Sequence, residues 1–141
     1  MAAVNSRRVL IGALAGGVVW NLWSMFVNVK VLGARYVAAQ QAGQFLAQPR
    51  YAYFLPVWIV TVFVLAYILA WLYASTRATL GAGPGTALKL GLLVGFAMAF
   101  PNNFSGASWM TLPRIFPLWW MLDMWMGAVL ATLVAGWLYH D

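Results

Sequence analysis

The spacing of charges restricts this chain more than any other feature. No Asp, Glu, Lys or Arg lies between Arg8 and Lys30, between Arg50 and Arg77, or between Lys89 and Arg114, and after Arg114 only Asp123 and Asp141 are charged. Long uncharged apolar runs are what a helix needs to cross a hydrocarbon layer of about 30 Å, at roughly 20 residues per crossing. Four spans are read near residues 9–29, 54–73, 88–103 (with an extension to 107 open) and 116–139. Runs such as VWIVTVFVLAYILAWLY lack the two-residue alternation of barrel strands, so the spans are helical. The expected fold is all-α: an integral membrane four-helix bundle in one transmembrane domain.

Composition agrees with that reading. A chain that is 65% hydrophobic and 7% charged has too little polar surface to cover a water-soluble domain. Cysteine is absent and the only histidine is His140, so thiol chemistry, iron–sulfur ligation, a clustered zinc site and a bis-histidine haem are all excluded. No metal site is expected. The opening MAAVNSRR and its apolar sequel look like a secretory signal, but no small-residue cleavage site follows Trp20 and the run continues to Val29. An uncleaved first span is expected.

The connections differ in kind. The first, KVLGARYVAAQQAGQFLAQPRYAY, carries Tyr36, Val37, Phe45 and Leu46 among polar residues, and is read either as a short interfacial helix or as a solvated loop. The second, STRATLGAGPGTALK, is a glycine-rich turn between antiparallel neighbours. In the third, PNNFSGASWMTLPRIFP, prolines at 101, 113 and 117 are expected to take the chain out of the helix, capped by Asn102 and Asn103.

Orientation rests on a tied count. Arg7, Arg8, Arg77 and Lys89 share one side with the termini, against Lys30, Arg35, Arg50 and Arg114 on the other. Arg7 and Arg8 abut the first span, which favours cytoplasmic termini; a tie also suits dual insertion as an antiparallel dimer. The endings AWLY at Tyr73 and GWLY at Tyr139, with glycine pairs opening spans 1 and 3, hint at two parallel helical hairpins. Tryptophan and tyrosine also gather at membrane interfaces for their own reasons.

Two sets of residues stand out inside the spans. Gly12/Gly16 and Gly91/Gly95 are four apart, the spacing that lets helix backbones approach closely, and packing within the bundle is preferred over packing between subunits. Gly17, Asn21, Ser24 and Asn28 recur at helical spacing and form one polar face of span 1. Asp123 lies about 10 Å inside span 4, at a depth comparable with Asn21. A hydrogen bond from Asn21 or Asn28 to Asp123 is expected, with Arg114 and Lys30 as rim counter-charges. A buried acid must be paired, protonated or wetted, so Asp123 is read as either a structural anchor or a functional site.

Tryptophans crowd the same region. Trp119 and Trp120 suit the interfacial belt, while Trp20, Trp23 and Trp125 lie deeper, where an unpaired indole N–H is costly. They are read as core filling or as contacts to a partner protein, lipid, quinone or pigment. No dedicated cofactor is expected.

The runs RRVLIGALAGGVVWNLWSMFVNVKVLGARYVAA and WLYASTRATLGAGPGTALKLGL are similar to a group of small four-span bacterial membrane proteins with no assigned activity. The likeness covers most of the first 92 residues and thins out at LWWMLDMWMG. It implies a bacterial inner-membrane protein and no chemistry.

Two functions from different classes follow. The first is a non-catalytic accessory subunit docked on a larger membrane complex through its tryptophan and methionine faces and the long first loop. The second is a small homo-oligomeric, proton-coupled transporter or channel with Asp123 as the proton site, similar in size to the small multidrug resistance transporters. Those carry a glutamate in the first helix, which is missing here. An enzyme ranks third, because the interior offers one carboxylate without a histidine or second acid beside it.

Overall fold

The computed structural model describes residues 3–139. His140 and Asp141 lie outside the described residues. Among the described residues there are helices and no strands: α1 (Ser6–Met25), continued as a wider-turned segment over Phe26–Val31, then α2 (Gly33–Gln41), α3 (Phe54–Leu80), α4 (Pro84–Trp109) and α5 (Ile115–Leu138). Four of them are long and apolar enough to cross a membrane, with α1 and its continuation counting as one span.

Each boundary has a local cause. Asn5 caps α1, its Oδ1 accepting from the backbone N–H of Arg8 at 3.2 Å. From Phe26 the helix widens to i→i+5 bonding, closed by the Leu32 N–H on the Val27 carbonyl at 2.9 Å. The first connection does contain a short helix, α2. The second is tighter than the sequence suggested, because α3 runs on to Leu80 and only residues 81–83 turn. Gly81 and Gly83 adopt φ of 88° and 128°, and Pro84 opens α4, where its missing N–H costs nothing. Thr86 Oγ1 donates to the Gly81 carbonyl at 2.7 Å, and the Gly83 N–H donates to the Tyr73 hydroxyl at 2.9 Å, so both sides of the turn are pinned.

The third connection corrects the sequence reading. Pro101 does not end its span: α4 continues through it to Trp109. Asn102 and Asn103 are helical residues and not caps, and Asn103 returns its amide to the Ala99 carbonyl at 2.8 Å. A proline interior to a spanning helix is tolerated because neighbouring polar groups satisfy the loosened backbone.

Helix α5 is the hub. It packs most closely on α4 and α1, and α1 also packs on α3. Its inward faces are built from Gly127, Ala128, Ala131, Thr132, Ala135 and Gly136, residues small enough to admit two neighbours at backbone distance. The glycine pairs use them. A Cβ at Gly12 would come 3.1 Å from the Ala135 Cα, and one at Gly16 would come 2.8 Å from the Ala131 carbonyl oxygen. Likewise, a Cβ at Gly91 would stand 2.7 Å from the Val129 Cα, and one at Gly95 would stand 2.7 Å from Trp125. Both pairs therefore close contacts inside the chain, on α5.

Three buried clusters follow one another along the bundle. Val9, Ala13, Tyr73, Ala87 and Ala135 fill the end nearest the termini, and Trp20, Val62, Leu69 and Ala128 fill the middle. Val27, Leu32, Ala39 and Phe116 fill the far end. There α2 and the following loop fold back over the bundle, and Phe45 packs edge-on against Phe116 and Trp120.

Candidate functional site

The polar groups of the interior converge between the middle cluster and the far one, around Asp123. This side chain is 4% exposed and projects from α5 towards α1. Its Oδ2 accepts from the Ser24 hydroxyl at 2.9 Å and from the Asn28 amide at 2.9 Å. Asn28 also donates to the Ser24 carbonyl at 2.9 Å, and its Oδ1 accepts from the Tyr36 hydroxyl at 2.8 Å. Tyr36 in turn accepts from the Trp120 indole N–H at 2.6 Å. The chain Trp120–Tyr36–Asn28–Asp123 thus joins α5, α2 and α1 at one point.

The widened end of α1 explains why Asn28 and not Asn21 reaches the acid. In a uniform α-helix, residues seven apart share a face, and Asn21 and Asn28 would point the same way. A wider turn advances each residue by a smaller angle, so Asn28 falls back onto the row of Ser24. Of the two donors expected from the sequence, Asn28 is the one that reaches Asp123, while the Asn21 amide donates to the Gly17 carbonyl of its own helix at 2.9 Å. The rim counter-charges are corrected too. Lys30 and Arg114 are exposed, and Asp123 makes no ion pair among the described residues.

Tyr36 is the participant that sequence reasoning missed. It was legible only as an apolar residue of the first connection, since nothing local says that α2 folds back over the site. Burial holds its phenol above the usual tyrosine range; the Trp120 N–H works against that shift, and the charge of Asp123 adds to it. The hydroxyl accordingly remains a donor to Asn28 at neutral pH.

The tryptophans divide by the fate of their N–H. Trp23 donates to the Leu122 carbonyl at 3.3 Å, Trp120 to Tyr36, and Trp125 to the Leu92 carbonyl at 3.1 Å. Trp119 is half-buried against the far cluster. Trp20 is completely buried, with its ring over Gly127 and its Nε1 unpartnered among the described residues.

Chemically, this arrangement is one carboxyl clasped by neutral donors on one oxygen. No protein-family model, no curated protein and no solved structure matches the chain.

Proposed function

We propose that this chain is a non-catalytic accessory subunit of a larger membrane complex, with Asp123 as an internal anchor. One observation carries the reading: α4 presents an ordered aromatic ridge on its outer face. Phe96, Phe100 and Phe104 stack one turn apart, with centroids 5.0 and 5.4 Å from one to the next and rings nearly parallel, and Phe96 and Phe104 are exposed. Trp125 braces the ridge edge-on at 5.4 Å from Phe96. Fluid acyl chains gain nothing from a fixed ridge, whereas the groove of another helix does. The anchor role of Asp123 is supported by its donors: both come from α1, and the bonds tie the first span to the last. The resemblance noted in the sequence and the Arg7/Arg8 pair support a bacterial inner membrane with cytoplasmic termini.

The test is the mass and composition of the native particle in mild detergent, combined with a photo-crosslinking residue in place of Phe100 or Phe104. The reading expects stoichiometric larger subunits and cross-links to one of them from the ridge. A particle containing only this chain sinks it.

A second reading, a proton-coupled transporter using Asp123, is favoured by one fact: the Oδ1 of this carboxyl has no partner among the described residues. Asp123→Asn separates the two. An anchor keeps its assembly with the amide, while a transporter folds and no longer moves substrate with protons.

A further inference from the structure

The ends of α3 and α5 enclose a cleft of about 470 Å³ on the side of the termini. Tyr73 and Arg77 line it from α3, Leu133 and Trp137 line it from α5, and Ala82 lines it from the turn between α3 and α4. Arg77 brings the only charge among the described lining residues. Its Nη1 donates to the Tyr139 carbonyl at 3.1 Å, and its guanidinium carbon lies 4.8 Å from the centre of the Tyr139 ring. Tyr139 is held in turn: its hydroxyl accepts from the Asn5 backbone N–H at 2.9 Å, and its ring meets Tyr73 edge-on. The charge is therefore set in place before any ligand arrives, which lowers the ordering cost of binding.

Depth decides which anion fits. With 27 residues, α3 is about 40 Å long, close to the thickness of a bilayer with its headgroups. Arg77 stands in the last turn of α3 and so at headgroup level, and Trp137, 73% exposed, stands beside the end of α5 on the same side. Tyr73 and Leu133 are each four residues deeper, on the same helix faces as Arg77 and Trp137. The cleft thus runs from a cation at the headgroups to an apolar wall one turn into the hydrocarbon. A free anion meets the charge and leaves that wall uncovered, whereas a phospholipid covers both. We propose that this cleft binds one anionic phospholipid, with its phosphate beside Arg77 and its glycerol and first acyl carbons along Trp137 and Leu133. The site lies apart from the Phe96–Phe104 ridge and does not depend on what docks there.

The test is native mass spectrometry of the full chain released from bilayers of phosphatidylglycerol and phosphatidylcholine in equal parts. One phosphatidylglycerol is expected to stay bound in preference to phosphatidylcholine. Arg77→Gln should lower that retention about tenfold, the scale of a charge-assisted hydrogen bond, whereas Lys89→Gln, which removes an exposed charge outside the cleft, should change it by less than about twofold. Equal losses in the two variants would reveal diffuse attraction to a basic surface and overturn the site, as would equal retention of the two lipids. Ala82→Phe, at an exposed turn position, fills the cleft and keeps its charge. It should release the lipid, and it decides the matter if Arg77→Gln does not fold; undiminished retention overturns the proposal. Displacement of the lipid by millimolar inorganic phosphate would assign the cleft to a bare anion and overturn the lipid reading too.

Discussion

The two seams of α5 are built on different principles. Against α4 it is largely apolar, with Gly91 and Gly95 set on Val129, Ala128 and Trp125, and the Trp125 indole N–H reaches the Leu92 carbonyl at 3.1 Å. Against α1 only half the seam is like that, at Gly12 and Gly16; the other half carries Ser24, Asn28 and Asp123. Lipid is as apolar as leucine, so close backbone approach supplies the adhesion in both. It does not choose a register, because neighbouring small residues along the same stripe serve almost as well. Directed bonds do choose one, and the polar half of the α1 seam holds α1 at a single height on α5.

Substitutions can break or sharpen that contrast. The largest loss is expected from Gly127→Ala, whose Cβ collides with the Trp20 ring, and from Gly91→Ala, whose Cβ meets backbone; each should cost about 1–3 kcal/mol in reversible detergent unfolding. Gly12→Ala should cost less, since its nearest atom is 3.1 Å away. If Gly91→Ala cost nothing while Gly12→Ala and Gly127→Ala did, adhesion would be concentrated in the α1 seam and the contrast would be wrong. Asp123→Ala leaves the buried Ser24 hydroxyl without its acceptor and the Asn28 amide with the Ser24 carbonyl alone, and should cost about 1–2 kcal/mol. Its signature is a shift of register: in a chain that has no cysteine, cross-links between cysteines placed at 13 and 135, which share a buried cluster, should spread to neighbouring pairs. Crosslinks confined to the original pair in that variant would show that packing alone sets the register.

Smaller effects lie further out in the network. Tyr36→Phe removes two bonds, one to Asn28 and one from Trp120, and should cost about 1 kcal/mol at the average of about 0.6 for each interhelical bond in membranes, with faster hydrogen exchange in α2 before α1. The pH dependence runs in a set direction. The folded protein holds the Tyr36 proton more tightly than the unfolded one, so its contribution is complete below the ordinary tyrosine pKa. It fades as pH rises through the raised one. Loosening of α2 that begins at neutral pH would contradict this.

How far the sequence could be read follows from the same contrast. Spans, glycine pairs and the polar face depend on residue type and helical period, which are local, and those were visible. Pro101 misled because its breaking effect is calibrated on helices in water, whereas a spanning helix has nowhere wet to send its backbone. The sequence left the choice between Asn21 and Asn28 open, because which of them meets Asp123 depends on the pitch of α1, and that changes over Phe26–Val31. Tyr36 was invisible as a partner for another reason: its role depends on how a connection folds over the bundle end.

The order of synthesis gives the Ser24–Asp123 bond a further meaning. The two residues are 99 positions apart, so at ribosomal rates of about 5–20 residues per second the first span waits on the order of ten seconds for the last. Throughout that interval Ser24 and Asn28 face a half-made protein, and neither glycine pair has its backbone partner. Three inserted helices without the fourth are therefore recognisably incomplete. An insertase or a membrane protease that senses unpaired polar groups has a clear mark by which to hold the nascent chain or discard it.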